Sequence, residues 1–386
     1  MATTGRTAAD SDADALAETL REASHVHLVS HADGDALAAT GLLTAALGPE
    51  TNFQISTVRT RADADRRVDA SAATTVVLGI EATDADATVR SGSIALATYD
   101  AAGALGGGET AHAPDDGDAA RTRDDDPALA LAGAVAAGVT PTGTALEDAT
   151  EAGIERRPGV GIPTADVGDG LAHSTLFHAD VSGDESAAGA LLAELDLPAE
   201  MDDEARRRVA SAIALSATEP PAPPRAADAI ERPLRPYVLP DGPFETVEGY
   251  ADVLEALART DPGVAAALSL GLVDRTTALE AWREHAIEVH EALRLADRDR
   301  RSGIVALETG RADPWTTARL VRDFRSGEPS ALVVGDGAAL ATTETDAKER
   351  LEEVDAVESV GGRSTLAFGS TDGDTNDLLD ELEGTA

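Results

Sequence analysis

Short apolar runs alternate with helical stretches along the first hundred residues. This alternation limits the chain to an α/β architecture with a mostly parallel sheet flanked by helices. His25 to Ser30 (HVHLVS), Phe53 to Val58, Thr74 to Ile80 (TTVVLGI) and Ile94 to Tyr99 (IALATY) read as strands. Around them, Asp10 to Ala23 has helical spacing, with Leu16 and Leu20 on one face and Ser11 or Asp12 as the cap. A second helix runs from about Ala36 to Leu47 and is stopped by Gly48-Pro49. Aromatic residues are only 3% of the chain against 42% apolar, so its cores must be built from Ala, Val, Leu and Ile.

At 386 residues the chain is about right for two domains. Gly103 to Asp126 reads as a Gly- and Asp-rich loop. Ala128 to Ala137, Thr144 to Gly153, Glu185 to Leu195 and Asp202 to Ala217 read as helices. Between the second and third of these lies an irregular, Gly/Pro-punctuated stretch with one short helix. The segment EPPAPPRAADAIERPLRP is the clearest break in composition. It places a linker at 219–236, between a first domain of 1–218 and a smaller α/β domain of 237–386, with a cleft between them. In the second domain, Thr246 to Arg259 and Thr276 to Asp297 read as helices, and GIVALE, ALVVGD and STLAFGS as strands.

Asp and Glu number 71 and Lys and Arg 31, a formal charge of −40; Lys348 is the only lysine. The composition resembles that of a salt-adapted, halophilic cytoplasm, where screening shortens the Debye length to about 3 Å at 1 M salt. In such salt, binding to nucleic acid through counterion release is weak, and hydrogen bonds and fit matter more. No apolar run is long enough to span a membrane. The N-terminus lacks a basic region followed by an apolar stretch, so a cytoplasmic location is expected. There are no cysteines, which excludes disulfides, thiolate zinc sites and a cysteine nucleophile.

The chemistry concentrates at Val29 to Leu43, VSHADGDALAATGLL. An apolar pair runs into His31-x-Asp33-x-Asp35 between a strand and a helix, where ligands bind in open α/β sheets. One imidazole and two carboxylates suit Mn²⁺ or Mg²⁺. The competing reading is a polar loop in which Asp35 caps the following helix. His112, His173, His178, His285 and His290 read as structural or exposed. Gly361 and Gly362 beside Arg363 offer backbone N–H groups and a guanidinium to a phosphate, or form a plain turn.

This stretch resembles the first motif of the DHH phosphoesterases, the superfamily of RecJ-type exonucleases and oligonucleotide phosphatases. ERRPGVGIPTADVGDGLAHSTLFHADVSGD resembles the archaeal RecJ-like branch, and VGGRSTLAFGS the Gly-Gly-His loop of the DHHA1 domain, with Arg363 in place of the His. The resemblance implies two metal ions held by four motifs, and three of these are damaged. Gly79 stands about where a bridging Asp is expected, with Glu81 and Asp84 nearby. YDAAG keeps Asp100 of Asp-His-His but has Ala101 and Ala102 for the histidines. The fourth motif reads Glu155-Arg156. A two-metal centre needs a bridging ligand and a nearly complete shell. The loss argues against such a centre and leaves one weakly held Mn²⁺ or Mg²⁺ on His31, Asp33, Asp35 and Asp100.

The resemblance therefore implies a catalytically degenerate RecJ-like protein, a nucleic-acid-binding or replication and repair scaffold of the type associated with GINS and MCM. Single-stranded DNA or RNA is the expected ligand, with Gly361, Gly362 and Arg363 contacting it. The alternative is an active, divalent-metal-dependent single-strand exonuclease or oligonucleotide phosphodiesterase. There Asp33, Asp35 and Asp100 would be catalytic, and Glu81 or Glu155 would substitute for lost ligands. A small-nucleotide sensor is a third reading. Trp282, Trp315 and Phe324 are the few residues available for base stacking, and core packing explains them as well.

Overall fold

The structure is a computed structural model that describes residues 8–47, 50–90, 92–105, 126–198, 201–240, 242–301 and 303–384. His112 and the glycine run at 106–108 lie outside the described residues. The chain forms two compact units. The first comprises Met1–Glu155, Leu239–Pro243 and Val253–Ala278, and the second Arg156–Val238, Phe244–Asp252 and Leu279–Ala386.

The chain opens with α1 (Ala8–Glu22), β1 (His25–His31), α2 (Gly34–Ala46), β2 (Asn52–Val58), α3 (Arg61–Asp69), β3 (Thr74–Leu78) and β4 (Ala87–Val89). The four strands form one sheet in the order β2-β1-β3-β4, parallel throughout. Then come α4 (Ile94–Ala104), α5 (Asp126–Ala136), α6 (Thr144–Glu151) and the two-residue β5 (Glu155–Arg156). IALATY, expected as the fourth strand, is the first half of α4; the fourth strand is Ala87–Val89. A six-residue apolar run does not distinguish strand from buried helix by period alone. Here Ser93 supplies an N-cap, accepting from Leu96 N, and the Ala-rich DAAGA continues the helix.

The first unit's core is aliphatic. Two of its apolar clusters consist of Ala, Val, Leu and Ile. Small residues let the helices approach closely. At Gly133 in α5 an added methyl would collide with Ala95 of α4 and Ala38 of α2. Nearly every residue of α2 is buried, and its weak amphipathicity follows from being covered on all sides.

Next in the chain are α7 (Val167–His173), α8 (Glu185–Glu194), α9 (Asp203–Thr218), α10 (Ala226–Glu231), β6 (Tyr237–Val238), α11 (Val247–Thr260), α12 (Pro262–Ser269) and α13 (Arg275–Leu295). The chain ends with β7 (Arg298–Arg301), β8 (Ile304–Glu308), α14 (Pro314–Leu320) running into a π-turn at Val321–Arg325, β9 (Ser330–Gly335), β10 (Gly337–Thr342), α15 (Ala347–Glu352), β11 (Val357–Arg363), β12 (Leu366–Thr371) and α16 (Thr375–Gly384). The six late strands form a sheet ordered β11-β12-β10-β9-β8-β7, antiparallel except for β8 with β9.

The segment 219–236, expected as a linker, holds α10, and its Ala226, Ala229 and Ile230 are buried in the second unit's core. The observed units also differ from the expected spans 1–218 and 237–386, because the chain returns to the first unit at 239–243 and 253–278. Composition marks where helices break; it does not show which core the next residues join. Trp282, Trp315 and Phe324 are buried in the second unit, at 0%, 4% and 2% exposure, and are closed to base stacking. Among the described residues no helix is long and apolar enough to cross a membrane.

Candidate functional site

At the carboxyl end of the first unit's sheet, β1 delivers His31 and the chain turns directly into α2. His31, Asp33 and Asp35 are all buried. Each carboxylate has a defined structural task. Asp33 is the N-cap of α2: its Oδ1 accepts from Ala36 N at 2.8 Å, and its Oδ2 lies 2.7 Å from His31 Nδ1. Asp35 serves a different helix. Its Oδ1 accepts from Ser93 Oγ and Ala95 N, both at 2.9 Å, and its Oδ2 from Ile94 N at 2.8 Å. The N-terminus of α4 thus points unsatisfied N–H groups and its positive dipole end at a buried carboxylate. The reading of Asp35 as a cap for its own helix is corrected: Asp33 caps α2, and Asp35 accepts from the first N–H groups of α4 beside its N-cap Ser93.

Sequence alone did not disclose three further residues here. Glu255 Oε2 accepts from Gly34 N at 2.8 Å, and its Oε1 pairs with Arg259 Nε at 3.0 Å. Arg59, just past β2, donates to the Arg259 carbonyl at 2.5 Å. Arg259 is 6% exposed, so a guanidinium is buried within reach of this loop's supports. Glu255 and Arg259 lie some 200 positions from the loop in sequence, and no local pattern joins them.

The expected bridging position is closed. Gly79 follows β3 with φ +79°, and a Cβ there would lie 3.0 Å from Ala36 Cβ and 3.2 Å from His31 Cβ. Asp100 does not follow a strand; it lies in α4 and lines a different concavity of about 540 Å³ with Asp14, Asp126 and Asp148. Its neighbour Tyr99 donates to Asp148 at 2.5 Å. Burial first, then Asp148, pushes the Tyr99 hydroxyl well above its usual range. Glu81 is paired with Arg61 and Arg90, and Glu155 is exposed.

Among the described residues, the one trio of His, Asp or Glu with ligand atoms within 4.8 Å of one another is Asp169, His173 and Glu185. Arg283 grips Asp169 with two 2.8 Å bonds, so a cation would compete with a guanidinium already in place. Burial raises the Asp169 carboxyl, but Arg283 and His173 outweigh it and hold the group low. His31, Asp33, Asp35 and Asp100 form no such trio. Asp33 and Asp35 are instead bonded to the first N–H groups of α2 and α4, and Gly79 brings no carboxylate to them.

In the second unit, Gly361, Gly362 and Arg363 close strand β11, opposite Phe368, Ala367 and Leu366 of β12. Gly362 has φ +123°, and a Cβ there would meet the Leu366 carbonyl at 2.6 Å and Trp315 at 3.0 Å, so close packing already requires this glycine. The HSTLFHADVSGD stretch is a buried polar hub. Asp252 accepts from Thr175 N (3.0 Å), Thr175 Oγ1 (2.5 Å) and Trp282 Nε1 (2.9 Å). His290 Nε2 lies 3.0 Å from the Ser174 carbonyl, which makes it the donor and leaves Nδ1 to accept from His178 Nδ1, also at 3.0 Å. Burial holds both imidazoles far below their usual range, to about 2 for His178 and about 3 for His290.

Glu248, in the first turn of α11, is 2% exposed; its Oε2 accepts from Tyr237 N at 2.9 Å and its Oε1 has no hydrogen-bond partner among the described residues. Burial pushes its carboxyl up from 4.5 to about 7, against its hydrogen bonds and the pull of Arg156. Between those pH values the folded chain holds a proton that the unfolded chain has released. This group's contribution to stability therefore falls as pH rises from 4.5 to 7. The two histidines act in the opposite sense, losing stability as pH drops below 6.5. Glu248→Gln is accordingly expected to remove a fall of about 3 kcal/mol across that window. Denaturant midpoints of both proteins at each end of the window would show it, and parallel pH profiles would refute it.

The chain has relatives by sequence and by fold. It is 46% identical over 370 residues to the uncharacterized protein rrnAC1427 of Haloarcula marismortui, covering 94% of this chain and 92% of that one. Residues 296–383 match the family of the rrnAC1427 C-terminal domain. CDC45 from Entamoeba histolytica shares the fold, with a TM-score of 0.60 and 8% identity over 97% of this chain and 98% of that one. RecJ from Thermus thermophilus, solved with Mn²⁺, aligns at a TM-score of 0.49 and 13% identity; the match takes in all of this chain but only 55% of RecJ.

Proposed function

The chain belongs to the rrnAC1427 family, and we propose that it is a catalytically degenerate DHH-type protein, a nucleic-acid-binding scaffold for replication or repair. The observation that carries this reading is the fate of the His-x-Asp-x-Asp carboxylates. Both are committed to helix N-termini, and the site where a bridging carboxylate belongs is a glycine pressed against His31. A phosphodiesterase of the two-metal kind needs those carboxylates free to hold cations. The CDC45 fold, shared over nearly the whole chain, supports a scaffold role beside partners of the GINS and MCM kind. A single Mn²⁺ or Mg²⁺ on His31 and Asp33 would have to compete with the hydrogen bond between them.

The test is a nuclease assay on single-stranded DNA and RNA, with Mn²⁺, at low and at multimolar KCl, comparing wild type with Asp33→Ala. The expected result is no cleavage by either protein, with single-stranded DNA retained by wild type. Mn²⁺-dependent cleavage by wild type that Asp33→Ala abolishes would establish the exonuclease alternative instead.

A further inference from the structure

We propose that the second unit carries a phosphate-binding site formed by Arg156, Arg207 and Arg235, which takes the phosphate of a nucleotide unit. The three arginines line one cavity of about 630 Å³, together with Ser211 and Leu234. Glu231 is the only acidic residue in that lining. The chain as a whole carries 71 acidic residues against 31 basic ones, so this concavity reverses the surface's sign. The site deepens the nucleic-acid-binding reading by giving it a surface, and it can fail separately.

Arg235 is the most telling residue. Its φ of +57° is in the left-handed region, and it immediately precedes Pro236, where the backbone is further restricted. The other described non-glycine residues with positive φ are Asp84 and Asp196, a residue type that tolerates it. Arginine gains nothing locally from this conformation, and glycine would adopt it readily. Strained residues of this kind persist where the side chain has a task. The backbone is fixed by Arg235 N donating to the Gly159 carbonyl at 3.1 Å and by Arg156 Nη1 donating to the Arg235 carbonyl at 2.9 Å. Arg156 also stacks 4.2 Å over the Tyr237 ring, so its guanidinium is held in a set orientation. Arg207 lies on α9, where its ion pair is with the exposed Glu204 at 3.3 Å.

Across Pro158 and Gly159 this cavity adjoins a second one of about 190 Å³, lined by Val160, Ile162, Met201 and Val209 and by the charged Arg206 and Glu245. Together they reach the size typical of small-molecule sites, roughly 300–1,000 Å³. An arginine-lined shelf beside a small, mostly apolar slot with a carboxylate at Glu245 matches a phosphate ester attached to a flat ring that carries a hydrogen-bond donor. Guanidinium forks bind phosphate by geometry as well as charge, so such a site keeps function in high salt.

Isothermal titration of the full chain with AMP, adenosine, inorganic phosphate and a 5′-phosphorylated oligonucleotide tests this. The variants are Arg207→Ala and Arg235→Gly. AMP should bind more tightly than adenosine or phosphate, and each variant should weaken it about tenfold. Arg235→Gly relieves the backbone, so its melting temperature should hold or rise and lost binding cannot be blamed on unfolding. The oligonucleotide arm tells a free nucleotide from a strand as the source of the phosphate. No AMP binding, or unchanged binding in both variants, overturns the site. If both variants retain AMP and the oligonucleotide at full strength, the site falls and the scaffold reading stands. If AMP binds through these arginines and no strand does, the site stands and the scaffold reading falls.

Discussion

Asp35→Ala is expected to destabilise the first unit by about 3–5 kcal/mol. The substitution strands three donors, Ser93 Oγ, Ile94 N and Ala95 N, in a region where Ser93, Ile94 and Ala95 are all buried and water cannot replace the carboxylate. It also leaves the N-terminal dipole of α4 without its anion. Asp35→Asn keeps an acceptor oxygen and should lose roughly half as much. Denaturant unfolding of the three proteins, followed by circular dichroism, measures this. The sign is diagnostic. A carboxylate maintained to hold a cation is often a liability to the empty fold, and its removal then raises stability. A gain in stability for Asp35→Ala would show that the carboxylate is kept for a ligand, and would revive the enzyme reading.

Gly79→Asp, which puts a carboxylate where the family resemblance expects a bridging ligand, is expected to cost about 2–4 kcal/mol and to confer no nuclease activity. The backbone at Gly79 has φ +79°, and the added Cβ would press on Ala36 and His31 at 3.0 and 3.2 Å. Neither neighbour can yield easily. Ala36 donates its backbone N–H to Asp33, and His31 is bonded to the same Asp33. The new charge would also be set near the carboxylate that both of them bond. Thermal unfolding and the Mn²⁺ nuclease assay check both halves. A variant as stable as wild type, or one that gains Mn²⁺-dependent cleavage, would show that the loop still has the room and the shape of a metal centre.

Much of the secondary structure is legible in the sequence because its signals are local. The apolar runs at His25, Phe53 and Thr74 are strands, and the helices at Ala128, Thr144, Glu185 and Asp202 lie within a residue or two of where their periodicity places them. The strand-to-helix turn at His31–Asp35 also falls where the sequence puts it. The departures have one cause. IALATY is as apolar as a strand and as short, and it is a helix because Ser93 and a distant carboxylate, Asp35, satisfy its first N–H groups. The proline-rich segment at 219–236 reads as a linker from composition, yet Ile230 is buried through contacts that composition does not encode.

Residue type and local period were enough to establish the α/β class, an aliphatic first core, the location of the His-x-Asp-x-Asp turn and the absence of cysteine chemistry. Which groups that turn bonds is decided in three dimensions. Whether a carboxylate holds a metal or a helix depends on which donors meet it in space. For Asp35 those donors come from Ser93 and the start of α4, nearly sixty residues away. The same holds for Arg156, Arg207 and Arg235: scattered charges in the sequence, they line one cavity only when the chain brings residues 156–159 beside 233–236.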